Sequence, residues 1–281
     1  MTVKSACVVV AALLVAACLA GSAAAQDARL PDRIRTAGTV RAAVQNVYPP
    51  LNYTDVATRQ LTGFNVELLQ ALGPKLGVKV DLVVASFEQM FPGLDAGRFD
   101  FIGAGLGDYP NRREKLTHVD YLRSGPILLS AEGRANEFKS PADLCGRSVG
   151  YLRFIASFAT VLKTLNETEC VAKGRPPLRP VTDDLTVQLG LAQGRYDAAL
   201  TAFELLQYLQ VSEPGKYHRI GDPLRPWNLA FVFEKDDTQL RDAVAAGVQA
   251  LIADGTYARL LAKYNLSELA VPQVTIDTGD F

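Results

Sequence analysis

The chain has 281 residues, 48% hydrophobic and 21% charged, which is enough apolar material for two cores of ordinary size. Its 29 basic and 30 acidic residues give a net charge of −1, and the basic ones are scattered, which excludes an electrostatic footprint for nucleic acid. Cys145, Cys170 and the two scattered histidines, His118 and His218, offer too few ligands for a metal site, and no metal or cofactor is expected.

At the amino end Lys4 precedes an apolar run from Ala6 to Ala20, followed by Gly21-Ser22-Ala23-Ala24-Ala25. A charged region, an apolar stretch and a small-residue cleavage site read as a secretory signal, residues 1–25, rather than a membrane span. Val15-Ala16-Ala17-Cys18 also resembles a bacterial lipobox, which would make Cys18 a lipidated first residue; a cysteine inside the apolar stretch is the favoured alternative. Export places Cys145 and Cys170, the only cysteines after the signal, in an oxidising compartment that favours a disulfide. Closing that loop is worth about 3 kcal/mol in the chain-entropy account.

After a polar leader, Thr39–Val44 reads as a strand and Tyr48-Pro49-Pro50 as a rigid turn. Val66, Leu69, Leu72 and Leu76 carry helical spacing over Asn65–Leu76, with Gly73-Pro74 predicting a stop or kink. A β-branched strand over Val78–Val84 follows, then a helix over Phe87–Ala96. The phrase Gly97-Arg98-Phe99-Asp100 comes next and leads into an apolar strand, Phe101–Ala104. A second copy, Gly194-Arg195-Tyr196-Asp197, sits between a helix-like run, Leu185–Gln193, and the strand Ala198–Thr201. In each copy Gly stands where a helix ends in a left-handed cap.

Two such units predict two α/β lobes. The chain first crosses near 122–127 and then forms strands at Pro126–Ser130 and Ser148–Leu152 and a helix at Ser157–Leu165. It returns over Pro223–Leu229, which carries the single tryptophan, Trp227. A helical stretch from Gln239 to Tyr264, broken near Asp254-Gly255, is expected to pack on the first lobe. The fold class is therefore α/β, with two Rossmann-like lobes joined by a two-crossing hinge: 26–122 with 228–281, and 123–227. Open α/β sheets bind ligands beyond the carboxyl ends of their strands, so a cleft between the lobes is the expected site for a small molecule.

The residues resemble a known family, the type II periplasmic solute-binding proteins of ABC importers, in particular the amino-acid-binding group (family 3). The resemblance runs in order through Tyr48-Pro49-Pro50-Leu51, Leu61-Thr62-Gly63-Phe64-Asn65-Val66-Glu67 and Phe91-Pro92-Gly93-Leu94. It continues through Gly97-Arg98-Phe99-Asp100, Arg112, Val119-Asp120-Tyr121, Asp143-Leu144-Cys145-Gly146, Gly194-Arg195-Tyr196-Asp197, Asp254-Gly255-Thr256-Tyr257 and Lys263-Tyr264. The Cys145/Cys170 pair looks like the second-lobe disulfide of some members. The resemblance implies a protein that closes by hinge motion on an amino acid or organic acid. It further implies a monomer outside the cytoplasm that docks on an ABC permease.

It also implies site residues. Gly105-Leu106-Gly107-Asp108-Tyr109-Pro110-Asn111-Arg112 matches the family's carboxylate-gripping stretch. Arg112 keeps the gripping position, where a planar fork suits a carboxylate; the alternative is a solvated helix charge, as expected for Arg113. Pro110 suits a helix start whose free amides would favour an anion. The rest of the amino-acid signature departs. Gln45 stands at the first-lobe acid, Ala202 at the aspartate that binds the ammonium, Tyr109 at a threonine and Gly107 at a hydroxyl residue. Phe154-Ile155 replaces a Gly-Thr turn. A desolvated ammonium needs a carboxylate or several acceptors, so the expected ligand is an acid without a conventional α-amino group, or a larger apolar or aromatic molecule. Tyr48, Phe87, Tyr109 and Phe154 are candidate walls, with core packing the alternative for Phe87 and Phe154. Arg153 is a candidate second positive group, with a surface charge as the alternative.

Two other classes compete. A periplasmic sensor or accessory binding protein would use the same closure. An enzyme like the cyclohexadienyl dehydratases of this fold would need a general acid, for which Glu204 is the candidate. No Ser–His–Asp set is evident, and no catalytic residue is assigned.

Overall fold

The computed structural model of the chain describes residues 30–153, 155–183 and 186–279. The signal segment with Cys18 lies outside the described residues, as does Phe154.

Helix α1, Asp32–Ala37, ends at Gly38 (φ 64°), and strand β1, Thr39–Val44, follows at once. Three short strands, β2 (Val47–Tyr48), β3 (Asn52–Thr54) and β4 (Leu61–Thr62), form a small antiparallel sheet. Helix α2, Phe64–Leu76, buries Val66, Leu69, Leu72 and Leu76 on the predicted spacing, and Phe64 as well. It runs through Gly73-Pro74 without stopping, with Pro74 inside the helix at the cost of one backbone bond, and Gly77 (φ 73°) closes it. Strand β5, Lys79–Val84, runs parallel to β1 from Thr39↔Lys79 to Val44↔Val84. Helix α3, Phe87–Asp95, leads to β6, Phe101–Gly107, which is also parallel to β1. The carboxyl ends of β5, β1 and β6 therefore share one edge of the sheet. Strand β7, Leu116–Ser124, is buried on both faces, so it lacks the period-two alternation that would reveal it in the sequence.

Within the second unit come β8 (Pro126–Ala131), β9 (Ser148–Leu152), α4 (Ala156–Leu165), β10 (Arg179–Asp183), α5 (Val187–Ala192), β11 (Ala198–Ala202), α6 (Phe203–Ser212) and β12 (Tyr217–Ile220). The sheet order is β10-β9-β11-β8-β12. Strands β10 and β11 flank β9 in parallel, and β8 returns antiparallel. Ile127, Leu129, Leu152, Leu191, Leu205 and Leu209 form its core. Cys145, after the 3-10 turn Pro141–Leu144, is disulfide-bonded to Cys170.

Strand β13 (Trp227–Glu234), helices α7 (Thr238–Ala253) and α8 (Thr256–Lys263) and strand β14 (Thr275–Ile276) complete the chain; the helical break falls where Asp254-Gly255 predicts it. The first unit's sheet reads β14-β7-β13-β6-β1-β5. By packing, the described part of Met1–Tyr121 groups with Ala230–Leu260 and Val271–Phe281, and Leu122–Leu229 groups with Leu261–Ala270. The sequence reading keeps 228–281 in one piece. Residues 261–270 go with the second unit, where the Asn265 amide donates to both the backbone and the side-chain oxygen of Gln207, each at 3.1 Å. No helix among the described residues is long and apolar enough to cross a membrane.

The two Gly-Arg-aromatic-Asp phrases are the same joint in both units. Arg98 N–H reaches back to Gly93 C=O and Gly97 N–H to Leu94 C=O; Arg195 and Gly194 repeat this with Gly190 and Leu191. That is a Schellman cap in each copy, with Gly97 at φ 64° and Gly194 at φ 67°. The aspartate then ties the joint to the neighbouring parallel strand. Asp100 accepts the backbone N–H of Arg41 at 2.7 Å, and Asp197 accepts that of Ser148 at 2.8 Å.

Candidate functional site

Gln45 follows β1, Phe87 opens the helix after β5, and Gly105, Gly107, Tyr109 and Arg112 lie on or just after β6. All six stand at the carboxyl ends of parallel strands, where an open α/β sheet exposes unpaired backbone to a ligand. Gln45 is half-buried, and its N–H donates to the Asn52 side-chain oxygen at 3.1 Å. Tyr48 is half-buried at the end of β2, opposite Asn52, and is followed by a cis peptide joining Pro49 to Pro50.

Arg112 is the centre of this group. Its guanidinium lies 4.8 Å over the Tyr109 ring and 5.2 Å over the Phe91 ring, and Nη1 donates to Gly107 C=O at 3.1 Å. Withdrawal from water pulls its pKa below the usual arginine value, against the opposing pull of Tyr109 and Asp108. It remains a cation. Among the described residues no carboxylate oxygen lies within 4.0 Å of it. A dehydrated guanidinium with donors to spare has the chemistry to accept a carboxylate.

The expected helix start at Pro110 is a single 3-10 turn, Pro110–Arg112, too short to supply a helix-terminus anion site. The structure brings Arg112, Tyr109 and Gly107 together directly. Phe87 joins them through Phe91, edge to face at 5.9 Å, and packs on the core formed by Ala43, Ala85 and Met90. Gly105 (φ 77°) has a structural demand of its own, since a Cβ there would stand 2.7 Å from the Tyr121 hydroxyl. Phe91 was missed by sequence reasoning as part of the site. Its signal was the i, i+4 spacing from Phe87 on one helix face.

Arg113 corrects its expected role as a solvated charge. It grips Asp108 bidentately, Nε to Oδ1 at 2.9 Å and Nη2 to Oδ2 at 2.7 Å, and Asp108 is wholly buried. The bond with Asp108 holds the Arg113 pKa above its usual value. Asp108, His118 and Asp277 come close enough to suggest a metal site, but Asp108 is already occupied by Arg113 and by Gly279 N–H at 2.7 Å. His118 Nδ1 meets Asp277 at 3.0 Å. Burial holds the His118 pKa below 6.5 despite both carboxylates, so the ring is neutral at pH 7 and donates to Asp277.

In the second unit Ala202 ends β11 and Arg153 follows β9, at the carboxyl ends of two parallel neighbours. Ala202 is buried and Arg153 is exposed. Glu204 is wholly buried in α6 and receives a short hydrogen bond from the Ser124 hydroxyl.

Known proteins share this architecture. Residues 40–267 match the family described as bacterial extracellular solute-binding proteins, family 3. An arginine-binding protein, ArgT, of Corynebacterium glutamicum is 25% identical over 255 residues, spanning 89% of this chain and 82% of that protein. An L-cystine-binding protein, TcyA, of Bacillus subtilis is 25% identical over 241 residues, 85% of this chain and 86% of that one. Among solved structures, the ancestral amino acid-binding protein AncCDT-1, described as a precursor of cyclohexadienyl dehydratase, is 25% identical. It superposes with a TM-score of 0.69 over 83% of this chain and 98% of its own. With the fold of the type II periplasmic binding proteins and a family match across most of its length, the chain belongs to the bacterial extracellular solute-binding proteins of family 3.

Proposed function

We propose that the chain is an extracytoplasmic solute-binding protein that takes a small carboxylate-bearing ligand on Arg112 and delivers it to an ABC permease. The observation that carries this reading is the Arg112 guanidinium. It is drawn from water over two aromatic rings, stands at the carboxyl ends of β1, β5 and β6, and has no carboxylate partner among the described residues. The relatives named for arginine and cystine support an amino-acid-like ligand. Ala202 and Gln45 argue for a different amine subsite, because neither offers a carboxylate to an α-ammonium. The ligand is therefore an acid lacking a conventional α-amino group, or a larger aromatic acid that rests on Tyr48, Phe87 and Tyr109.

Trp227 fluorescence and thermal shift on the mature protein, screened against α-amino acids and amine-free acids, test the reading. Tight binding of an amine-free or aromatic acid that disappears in Arg112→Ala is the expected result. Tight binding of arginine, cystine or histidine by the wild type refutes the altered amine subsite. Binding unaffected by Arg112→Ala refutes the grip itself. A dehydratase stands second, on the AncCDT-1 likeness and on buried Glu204; turnover of a cyclohexadienyl acid that is lost in Glu204→Gln would favour it.

A further inference from the structure

The segment Thr275–Gly279 is fastened to the first unit by carboxylates at four successive points. The Thr275 hydroxyl reaches Asp120 at 3.3 Å, and Thr278 reaches it with its N–H at 3.2 Å and its hydroxyl at 2.8 Å. Asp277 accepts the Thr117 hydroxyl at 2.8 Å, the His118 N–H at 2.9 Å and the His118 ring at 3.0 Å. Gly279 N–H ends on Asp108 at 2.7 Å, while Gly279 C=O takes a short hydrogen bond from Arg113. A Cβ on Gly279 would fall 2.4 Å from the Asp108 carbonyl oxygen, so only glycine lets the two backbones meet.

Asp108 and Arg113 are the two ends of the turn that carries Tyr109 and Arg112. They grip each other, and the Gly279 peptide bonds to both. Inside the turn, Arg112 N–H reaches Tyr109 C=O at 2.9 Å and Arg113 N–H reaches Pro110 C=O at 3.2 Å. A six-residue turn pinned at both ends by a wholly buried carboxylate has little freedom to re-aim its side chains.

We infer that Asp108, Arg113 and Gly279 are positioning residues that aim Arg112 at the ligand, with the segment 275–279 serving as the strap that holds the turn. This rests on the reading of Arg112 as the carboxylate grip. Adjacent arginines thereby divide the work: Arg113 spends its fork on the buried Asp108, and Arg112 keeps its fork for the ligand.

The test reads Arg112 in the ligand-free protein, so it does not depend on knowing the ligand. In chain labelled with ¹⁵N-arginine, the Arg112 Nε–H signal is identified by its loss in Arg112→Lys, and stacking on Tyr109 and Phe91 displaces it by ring current. Gly279→Ala and a chain ending at Ile276 are each expected to move that signal to the position of exposed arginines. Val248→Ala, a buried change in α7, lowers stability comparably and leaves the signal in place. Affinity for the best acid from the screen is expected to fall about tenfold in Gly279→Ala. An unmoved signal in Gly279→Ala overturns the strap, and that point variant decides alone if the shortened chain does not fold. A moved signal with unchanged affinity overturns the grip reading and leaves the strap standing.

Discussion

The ring of Tyr109 fills the space that a side chain at Gly107 would need: a Cβ on Gly107 would lie 2.5 Å from Tyr109 Cζ. The two positions are thus coupled in space, since the Tyr109 ring takes the volume that a side chain at 107 would occupy. Gly107→Ser is expected to destabilise the protein by about 1–3 kcal/mol, the usual cost of overpacking. Adding Tyr109→Thr should recover most of that loss. Thermal unfolding of both single variants and the double variant measures the coupling; additive effects would mean that the ring and the glycine are not coupled.

The repeated joint makes a paired prediction. A Cβ on Gly93 would stand 2.7 Å from the Phe99 ring, and one on Gly190 2.2 Å from the Tyr196 hydroxyl. Tyr196 is hemmed in on another side as well, since a Cβ on Gly150 would lie 2.4 Å from its ring. Its hydroxyl is further fixed on Val187 C=O at 2.7 Å. Phe99 has no hydroxyl to anchor it. Gly190→Ala should therefore cost more than Gly93→Ala, with both in the range of about 1–3 kcal/mol. Urea denaturation of the two variants settles the order.

Asp197 sets an acid limit on the second unit. Burial by itself would raise its pKa, but the Ser148 N–H and hydroxyl and the Arg134 guanidinium outweigh that and hold it at about 2, below the ordinary 3.8. A carboxylate with a depressed folded pKa contributes its stability fully above pH 3.8 and loses it as pH falls toward about 2. In Asp197→Asn the stability lost between pH 4 and 2 should shrink by on the order of 1–2 kcal/mol, while stability at pH 7 falls. Denaturant midpoints across that range test it, and an unchanged acid slope would mean that Asp197 is not held by these donors.

Much of this was legible in the sequence because it is local. The Gly-Arg-aromatic-Asp phrases, the strand Thr39–Val44 and the break at Asp254-Gly255 are each encoded within a dozen residues. Arg112 was singled out by its motif, and the structure sets it beside Tyr109 and Gly107. The partners that finish the site were not. Gly279 meets Asp108 across 171 positions and Arg113 across 166, and no periodicity reports such a contact. Arg113 looked like a surface charge because nothing near it in the chain reveals that Asp108 is buried. Tyr109 and Gly107 appeared as two separate departures because the residue types alone do not report that the Tyr109 ring lies back over Gly107. Strand β7 was hidden by burial on both faces, with Thr117, His118 and Asp120 interrupting its apolar run.

His118 supplies a pH response in the opposite half of the acid range. The ring is fully buried and faces Asp108 and Asp277, with Arg112 disfavouring its charge from farther off. Thr117 and Arg241 complete the polar surroundings, with Arg241 donating to the Thr117 hydroxyl at 3.2 Å, and Lys235 stands 3.9 Å from Asp277. Burial dominates, so the folded ring resists protonation at pH values where the unfolded chain, with the ordinary value of 6.5, accepts a proton. Below pH 6.5 the unfolded state therefore binds more protons than the folded one, and stability falls as pH drops through this window. It is fully present above 6.5, the reverse of a histidine that gains a net favourable partner. His118→Asn keeps a donor for Asp277 without a titrating ring, and it should flatten the loss of stability between about pH 6.5 and 5. Urea midpoints of wild type and variant at half-unit pH steps measure this. A wild type whose stability rises as pH falls through 6.5 would mean that the carboxylates prevail over burial and that the ring is charged.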